Sequence, residues 1–365
     1  MTMSNRERFK CAMELKAVDR FPVWLKMANG TWQGGQPEPY RSMNGIELLR
    51  IAGCDVMAGN PLPVRECYTQ VQVSSWKENN RRHTRYQTPH GVLEAIEEFT
   101  PESNSWHPVS YPITTKHDIE LACEMFRDLQ YHIPEDDAYR HTMRQKELAD
   151  QDVFTMTGIG PSPLMACVEH WCGPENLAYL LADEPDLMEE LLAEMHQAHL
   201  RKLKTMVPVL QADSFWFTEN TSTTLISPVQ FRRYCMPQLA EYCALVRESP
   251  SYPVFHMCGK LNLILDDLAQ LDVQAQEAFT THPVGDVSLT EGRLRLPGKA
   301  LIGGTNAALW LEDEETIIAE VARDLATCPH HRGIILTSAG VLPPAVNFAK
   351  ARNVVRAFKA FSFRA

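Results

Sequence analysis

The stretch Pro253-Val-Phe-His-Met-Cys-Gly259 carries most of what this sequence says about both fold and chemistry. It begins as a short apolar run suited to a strand buried on both faces. It ends in a histidine, a cysteine and a glycine that lets the chain turn away sharply. Comparable runs recur at residues 21–26, 54–58, 153–158, 214–219, 273–279, 300–303 and 334–338. Each is followed by a longer segment with helical periodicity. Eight strand–helix units in alternation predict a closed parallel (β/α)8 barrel, the TIM-barrel class, rather than an open sheet.

The helical segments agree with this. Residues 175–206 show two apolar faces separated by a turn at Glu184 and Pro185. Residues 228–246 start behind Ser227, an N-cap residue type, with proline at the first helical position. One stretch breaks the alternation. Residues 71–76, 82–87 and 92–99 alternate as antiparallel strands do, with a turn at residues 78–80, and residues 116–150 read as helical. The simplest account is a β-rich and helical excursion between the second and third barrel strands. With no internal repeat or linker, residues 1–365 read as one elaborated domain. Such barrels commonly reach ~250 residues or more.

Composition narrows the function classes. The 44% hydrophobic content suits a soluble globular chain, and the net charge of −11 lacks the basic surface that nucleic acid or an anionic membrane would need. The opening residues have no apolar core of an export signal, and no run approaches the ~20 apolar residues that span a bilayer. A cytoplasmic protein is expected. The ten cysteines include no CxxC pair and read as reduced thiols. Cys11, Cys54, Cys123 and Cys243 sit singly in apolar stretches, as small buried hydrophobes do.

In barrels of this class the site lies at the C-terminal strand ends. Those ends deliver Lys26, Met27 and Asn29, then Asn60, the turn at residues 158–163, Glu219 and Asn220, His256 and Cys258, Glu277 and His282, Thr305 and Asn306, and Thr337, Ser338 and Ala339. Residues i and i+2 of a strand face the same side, so His256 and Cys258 address one site together. Imidazole and thiolate are ligands that zinc prefers, and Glu219 on the neighbouring strand end could add an oxygen. The same triplet also fits a loop-bonded histidine beside a packed cysteine. Met27, Asn29, Asn60, Trp216, His282 and Asn306 form the candidate substrate-facing set. Glu277 and His282 suit a general base or a partner that orients a ligand. Trp32, Trp171 and Trp216 suit an apolar pocket or the core alike.

Six pieces in order, Arg20-Phe-Pro-Val-Trp24, Gly53-Cys-Asp55, Gly160-Pro161, Leu225-Ile-Ser-Pro228, His256-Met-Cys-Gly259 and Leu301-Ile-Gly-Gly304, resemble the uroporphyrinogen decarboxylase superfamily. That superfamily holds porphyrin decarboxylases and methyltransferases that work with corrinoid proteins. The decarboxylase branch carries two arginines for substrate propionates in its first strand-end run, where this chain has Met27 and Thr31. Asn60 stands at that branch's aspartate for the pyrrole N–H groups, and Ala339 at its histidine. The resemblance therefore implies the methyltransferase branch, whose thiol-methylating members bind zinc through His-x-Cys and a distant cysteine. His256 and Cys258 match the first two, and Ala339 stands at the third.

A metal site completed by Glu219, with one thiolate fewer, would be the stronger Lewis acid. It would suit methyl transfer from a small methylated compound, such as a methyl ether, to the cobalt of cobalamin carried by a partner corrinoid protein. Homodimer formation is compatible with this reading. The competing expectations are a decarboxylase with an altered substrate and a non-catalytic tetrapyrrole- or corrinoid-binding barrel.

Overall fold

The computed structural model describes residues 2–364. In chain order its strands are β1 (Val23–Trp24), β2 (Met57–Gly59), β3 (Arg65–Cys67), β4 (Gln72–Glu78), β5 (Arg81–Gln87), β6 (Val92–Thr100), β7 (Ser105–Ser110), β8 (Gln130–His132), β9 (Phe154–Gly158), β10 (Ser214–Thr218), β11 (Tyr252–His256), β12 (Ala275–Phe279), β13 (Ala300–Gly303) and β14 (Ile334–Thr337). The eight apolar runs form one sheet, ordered β1-β14-β13-β12-β11-β10-β9-β2, with every neighbouring pair parallel. Helices intervene in sequence and cover the outside, giving the (β/α)8 barrel. Phe215, Phe217, Phe255 and Phe279 are fully buried, as strands covered on both faces require.

The seam between β1 and β2 is closed by other means than a full ladder. The Asp55 N–H donates to the Val23 carbonyl at 2.7 Å, and the Asp55 carboxylate accepts from the Val23 N–H at 2.9 Å. That carboxylate is buried and pairs with Arg8 and Arg20, each at 2.7 Å. The Arg20-to-Trp24 and Gly53-to-Asp55 pieces are thus two halves of one joint.

Helix signals are realised closely. Pro174–Asp183 and Pro185–Met206 meet at Glu184. Ser227 and Gln230 form a reciprocal capping box ahead of Pro228–Gln230. The helix then widens into a π turn at Phe231–Cys235 before continuing as Met236–Arg247. Pro237 lies just beyond that turn, where its missing N–H and its ring forbid an ordinary α-helical bond.

The excursion is larger in β content than its sequence suggests. Strands β4, β5, β6 and β7 form an antiparallel sheet in that order, and β3 pairs antiparallel with β8. The pattern of β7 is masked by Pro108 and polar neighbours, which an edge strand tolerates. Opposite Pro108 the ladder of β6 slips between Ile96 and Glu97. The helical section divides into Lys116–Asp128 and Glu135–Asp150 around β8. Thr31 fastens the excursion to the barrel by donating its hydroxyl to the Ser103 carbonyl at 2.8 Å. Among the described residues no helix is long and apolar enough to cross a membrane.

Candidate functional site

Three strand ends at the barrel mouth leave the regular backbone. Asn220 after β10, Ala278 within β12 and Ala339 after β14 adopt left-handed φ values of 46°, 55° and 61°. Non-glycine residues held there store strain, which concentrates at functional sites. The Ala278 bulge shifts the β12–β13 register between Glu277 and Phe279.

His256 ends β11 and lies opposite Glu277 of β12. Its carbonyl accepts the N–H groups of Glu219 and Asn220 at 3.0 and 2.9 Å, and Met257 donates to the Glu277 carbonyl at 3.1 Å. The extended backbone therefore runs on past His256 and brings the exposed Cys258 thiol into hydrogen-bonding reach of the imidazole. The fully buried Glu277 carboxylate contacts His256 Nδ1 and forms an ion pair with Lys26 Nζ at 2.6 Å. Burial alone would lower the basicity of His256, but the Glu277 charge and the contact with Cys258 outweigh it and lift the imidazole to about 9. Burial likewise pushes Glu277 upward, and Lys26 and His256 outweigh that and hold it below the ordinary glutamate value. With Nδ1 committed to Glu277, Nε2 is the nitrogen left to face a ligand.

Gly259 is required by crowding rather than by an unusual φ. A Cβ there would lie 2.2 Å from Cβ of Ser222 and 2.8 Å from its Cα. Cys258 donates to Asn220 Oδ1 at 3.5 Å, and Asn220 Nδ2 donates to Glu169 at 3.1 Å. The other oxygen of Glu169 is buried and has no partner among the described residues. Burial raises Glu169 to about 7. Glu169 arrives from the π turn Cys167–Trp171, remote from any strand end, and no sequence signal marks it.

A cavity of about 470 Å³ opens beside His256, walled by Trp24, Lys26, Asn29, Met156 and Trp216 among others. Trp24 and Trp216 meet edge to face at 5.9 Å. Lys26 and Arg144 supply the Lys and Arg side chains of this wall; the first is paired with Glu277 and the second with Glu147 at 2.8 Å.

Of the candidate substrate-facing set, Asn29 and Trp216 are in this wall. Asn29 also caps the helix Gly30–Gly34 and donates to the Lys26 carbonyl at 2.6 Å. Met27 is fully buried and outside the wall, because the chain turns after β1, the Met27 N–H donating to the Leu25 carbonyl at 2.9 Å. Asn60 is buried against the helix Glu135–Asp150, donating to the His141 carbonyl at 3.2 Å. His282 and Asn306 line a separate cleft beyond β12 and β13, where Asn306 donates to the His282 carbonyl at 2.7 Å. Glu219 turns its fully buried carboxylate onto the Ser162 N–H and, at 2.8 Å, its hydroxyl, so it is not brought beside Cys258. Trp32 is core, donating to the Val346 carbonyl at 2.8 Å, and Trp171 packs on Phe126 and Tyr86. Among the described residues no three His, Cys, Asp or Glu side chains converge as a preformed metal cage.

The fold is a (β/α)8 barrel, with the candidate side chains His256 and Cys258 at the C-terminal strand ends. Residues 117–361 match the family model described as uroporphyrinogen decarboxylase (URO-D), and the chain belongs to that family. No curated protein matches the sequence. Among solved structures, a methyltransferase from Methanosarcina mazei shares 17% identity over 98% of each chain, with a TM-score of 0.59, and so shares the fold. A putative vitamin-B12 independent methionine synthase from Listeria monocytogenes aligns over 56% of this chain and 63% of its own, at 16% identity and a TM-score of 0.38.

Proposed function

We propose that the chain is a methyltransferase that moves a methyl group between a small methylated compound and the cobalt of a partner corrinoid protein, with zinc held by His256 and Cys258. One observation carries the reading: an imidazole anchored through Nδ1 by a buried carboxylate stands beside an exposed thiol, at the edge of an aromatic-walled cavity. The donor types fit zinc, whose histidine ligands characteristically give their other nitrogen to a carboxylate. The unpartnered Glu169 oxygen is linked to Cys258 through Asn220 but does not converge with His256 and Cys258, so water or substrate would complete the coordination. Bound zinc would supply Lewis acidity toward the heteroatom that carries the methyl group.

The protein's own contribution is positional. Glu277 and Lys26 fix the imidazole ring, and Trp24 and Trp216 offer an apolar wall that holds the substrate body and keeps water out. Ala339, buried and left-handed, stands where thiol-methylating relatives would bring a further thiolate. Less negative charge at the centre favours a poor leaving group, as in a methyl ether. Porphyrin decarboxylation is disfavoured because Lys26 of the same wall is committed to the buried Glu277, and Met27 and Thr31 stand where that branch carries arginines for the propionates. Metal analysis of protein purified without chelator tests the reading. About one zinc per chain, lost in the His256→Ala Cys258→Ala double variant, is the expected result. A zinc-free, correctly folded wild type that takes up none on incubation with the metal contradicts it.

A further inference from the structure

A second cavity, of about 220 Å³, lies outside the barrel and takes no part in the proposed reaction. Its walls come from the loop after β9, from the helix Pro185–Met206 and from the excursion. An apolar cavity of about 150 Å³ is enough to admit benzene.

The polar groups here are unusually short of acceptors. Lys202 Nζ makes one hydrogen bond, to the Ile159 carbonyl at 3.1 Å, and among the described residues no carboxylate pairs with it. An ammonium has three donors. Burial depresses its basicity and outweighs the attraction of the Glu66 carboxylate, which makes no ion pair with it. His199 Nε2 is buried and has no partner among the described residues. Both groups face the open side of Gly160, which has a φ of +90°. A Cβ there would stand 3.8 Å from His199 Cε1 and 3.9 Å from Lys202 Nζ. Burial pushes the Tyr86 phenol up to about 12 and raises Tyr131 further, so both remain protonated donors. The acidic group of the wall, Glu66, is exposed and accepts from the Tyr68 hydroxyl at 3.4 Å. Donors enclosed without acceptors carry a desolvation cost that a matching ligand relieves.

We propose that this cavity binds a small organic monocarboxylate, its carboxylate on Lys202 Nζ and the His199 Nε2–H, its apolar body against Tyr86, Tyr131 and Trp171. A single charge is specified because one ammonium is present and Glu66 repels a second anionic group. The walls specify an aromatic or short aliphatic body.

Benzoate is the probe. Calorimetric titration of the full chain should show saturable, single-site binding of benzoate. The neutral isostere benzamide should bind at least about tenfold more weakly, since hydrogen bonds to charged groups are the stronger ones. Lys202→Met should weaken benzoate by about tenfold or more. Lys204→Met, on the exposed face of the same helix, should leave it unchanged. Absence of saturable benzoate binding, equal affinity for benzoate and benzamide in the wild type, or undiminished binding in folded Lys202→Met would each overturn the proposal. The benzamide comparison stands even if Lys202→Met does not fold.

Discussion

Glu277 governs what His256 can do. Its buried carboxylate holds Nδ1 and leaves Nε2 outward, so its role is to position the ligand rather than to touch substrate. Glu277→Gln should reduce zinc affinity by about 10–100-fold in a chelator competition, the usual loss when such a partner is removed. Unchanged affinity would deny it that role. Glu219 makes a different prediction. Burial raises it from the ordinary 4.5 to about 7 despite two hydrogen bonds from Ser162. The folded state therefore holds this proton more tightly than the unfolded chain does. Its contribution to stability is intact below 4.5 and is lost as pH rises through about 7. Glu219→Gln should thus gain on wild type between about pH 5 and pH 8, by on the order of 3 kcal/mol in chemical denaturation. A difference that stays flat with pH would contradict the assignment. At this scale legibility was uneven. The i, i+2 spacing of His256 and Cys258 is a local backbone property and could be read directly. Met27 and Asn60 lie at strand ends too, but which side such a residue faces depends on the path of the chain beyond the strand. Glu169 depends on a π turn, which leaves no pattern in the sequence.

Among the elements, Ser227 caps a helix and Gly259 carries the chain past the mouth. The Ser227 hydroxyl accepts from the Gln230 N–H at 3.2 Å, and Gln230 Oε1 accepts from the Ser227 N–H at 2.8 Å. Ser227→Ala should cost about 1 kcal/mol in chemical denaturation while leaving zinc content unchanged. Loss of zinc would show that the cap also shapes the site. Gly259→Ala should affect metal binding as well. Its Cβ has no room against Ser222, so the backbone carrying Cys258 must move. A loss of about 1–3 kcal/mol is expected together with weakened metal binding, and a silent substitution would contradict the crowding argument. All eight barrel strands were readable because each is an apolar run bounded by turn residues. The edge strand β7 was not, because Pro108 and its polar neighbours erase the signal.

The whole molecule is closed by the ionic joint between β1 and β2. Burial raises Asp55, but Arg20 and Lys359 outweigh that, and its carboxyl ends below the ordinary aspartate value of 3.8. The stability this supplies is present above 3.8 and lost as pH falls below it. Asp55→Asn removes the charge shared by Arg8 and Arg20, Arg8 keeping Asp19 at 2.7 Å, and should cost about 1–3 kcal/mol, measured by denaturation near neutral pH. A loss within about 1 kcal/mol would mean that the barrel does not depend on this joint. That joint sits at the end of the barrel away from His256, which separates what holds the fold together from what the mouth is proposed to do. The proposed chemistry is tested most directly by spectroscopy of methyl transfer to cobalt. Cob(I)alamin is mixed with the zinc-loaded chain and a panel of methyl ethers, methylamines and methyl thiols. The methylcobalamin spectrum is expected with at least one donor, a methyl ether first among them, and not with the His256→Ala Cys258→Ala variant. Methylcobalamin from no donor, or equal formation by the double variant, would contradict it.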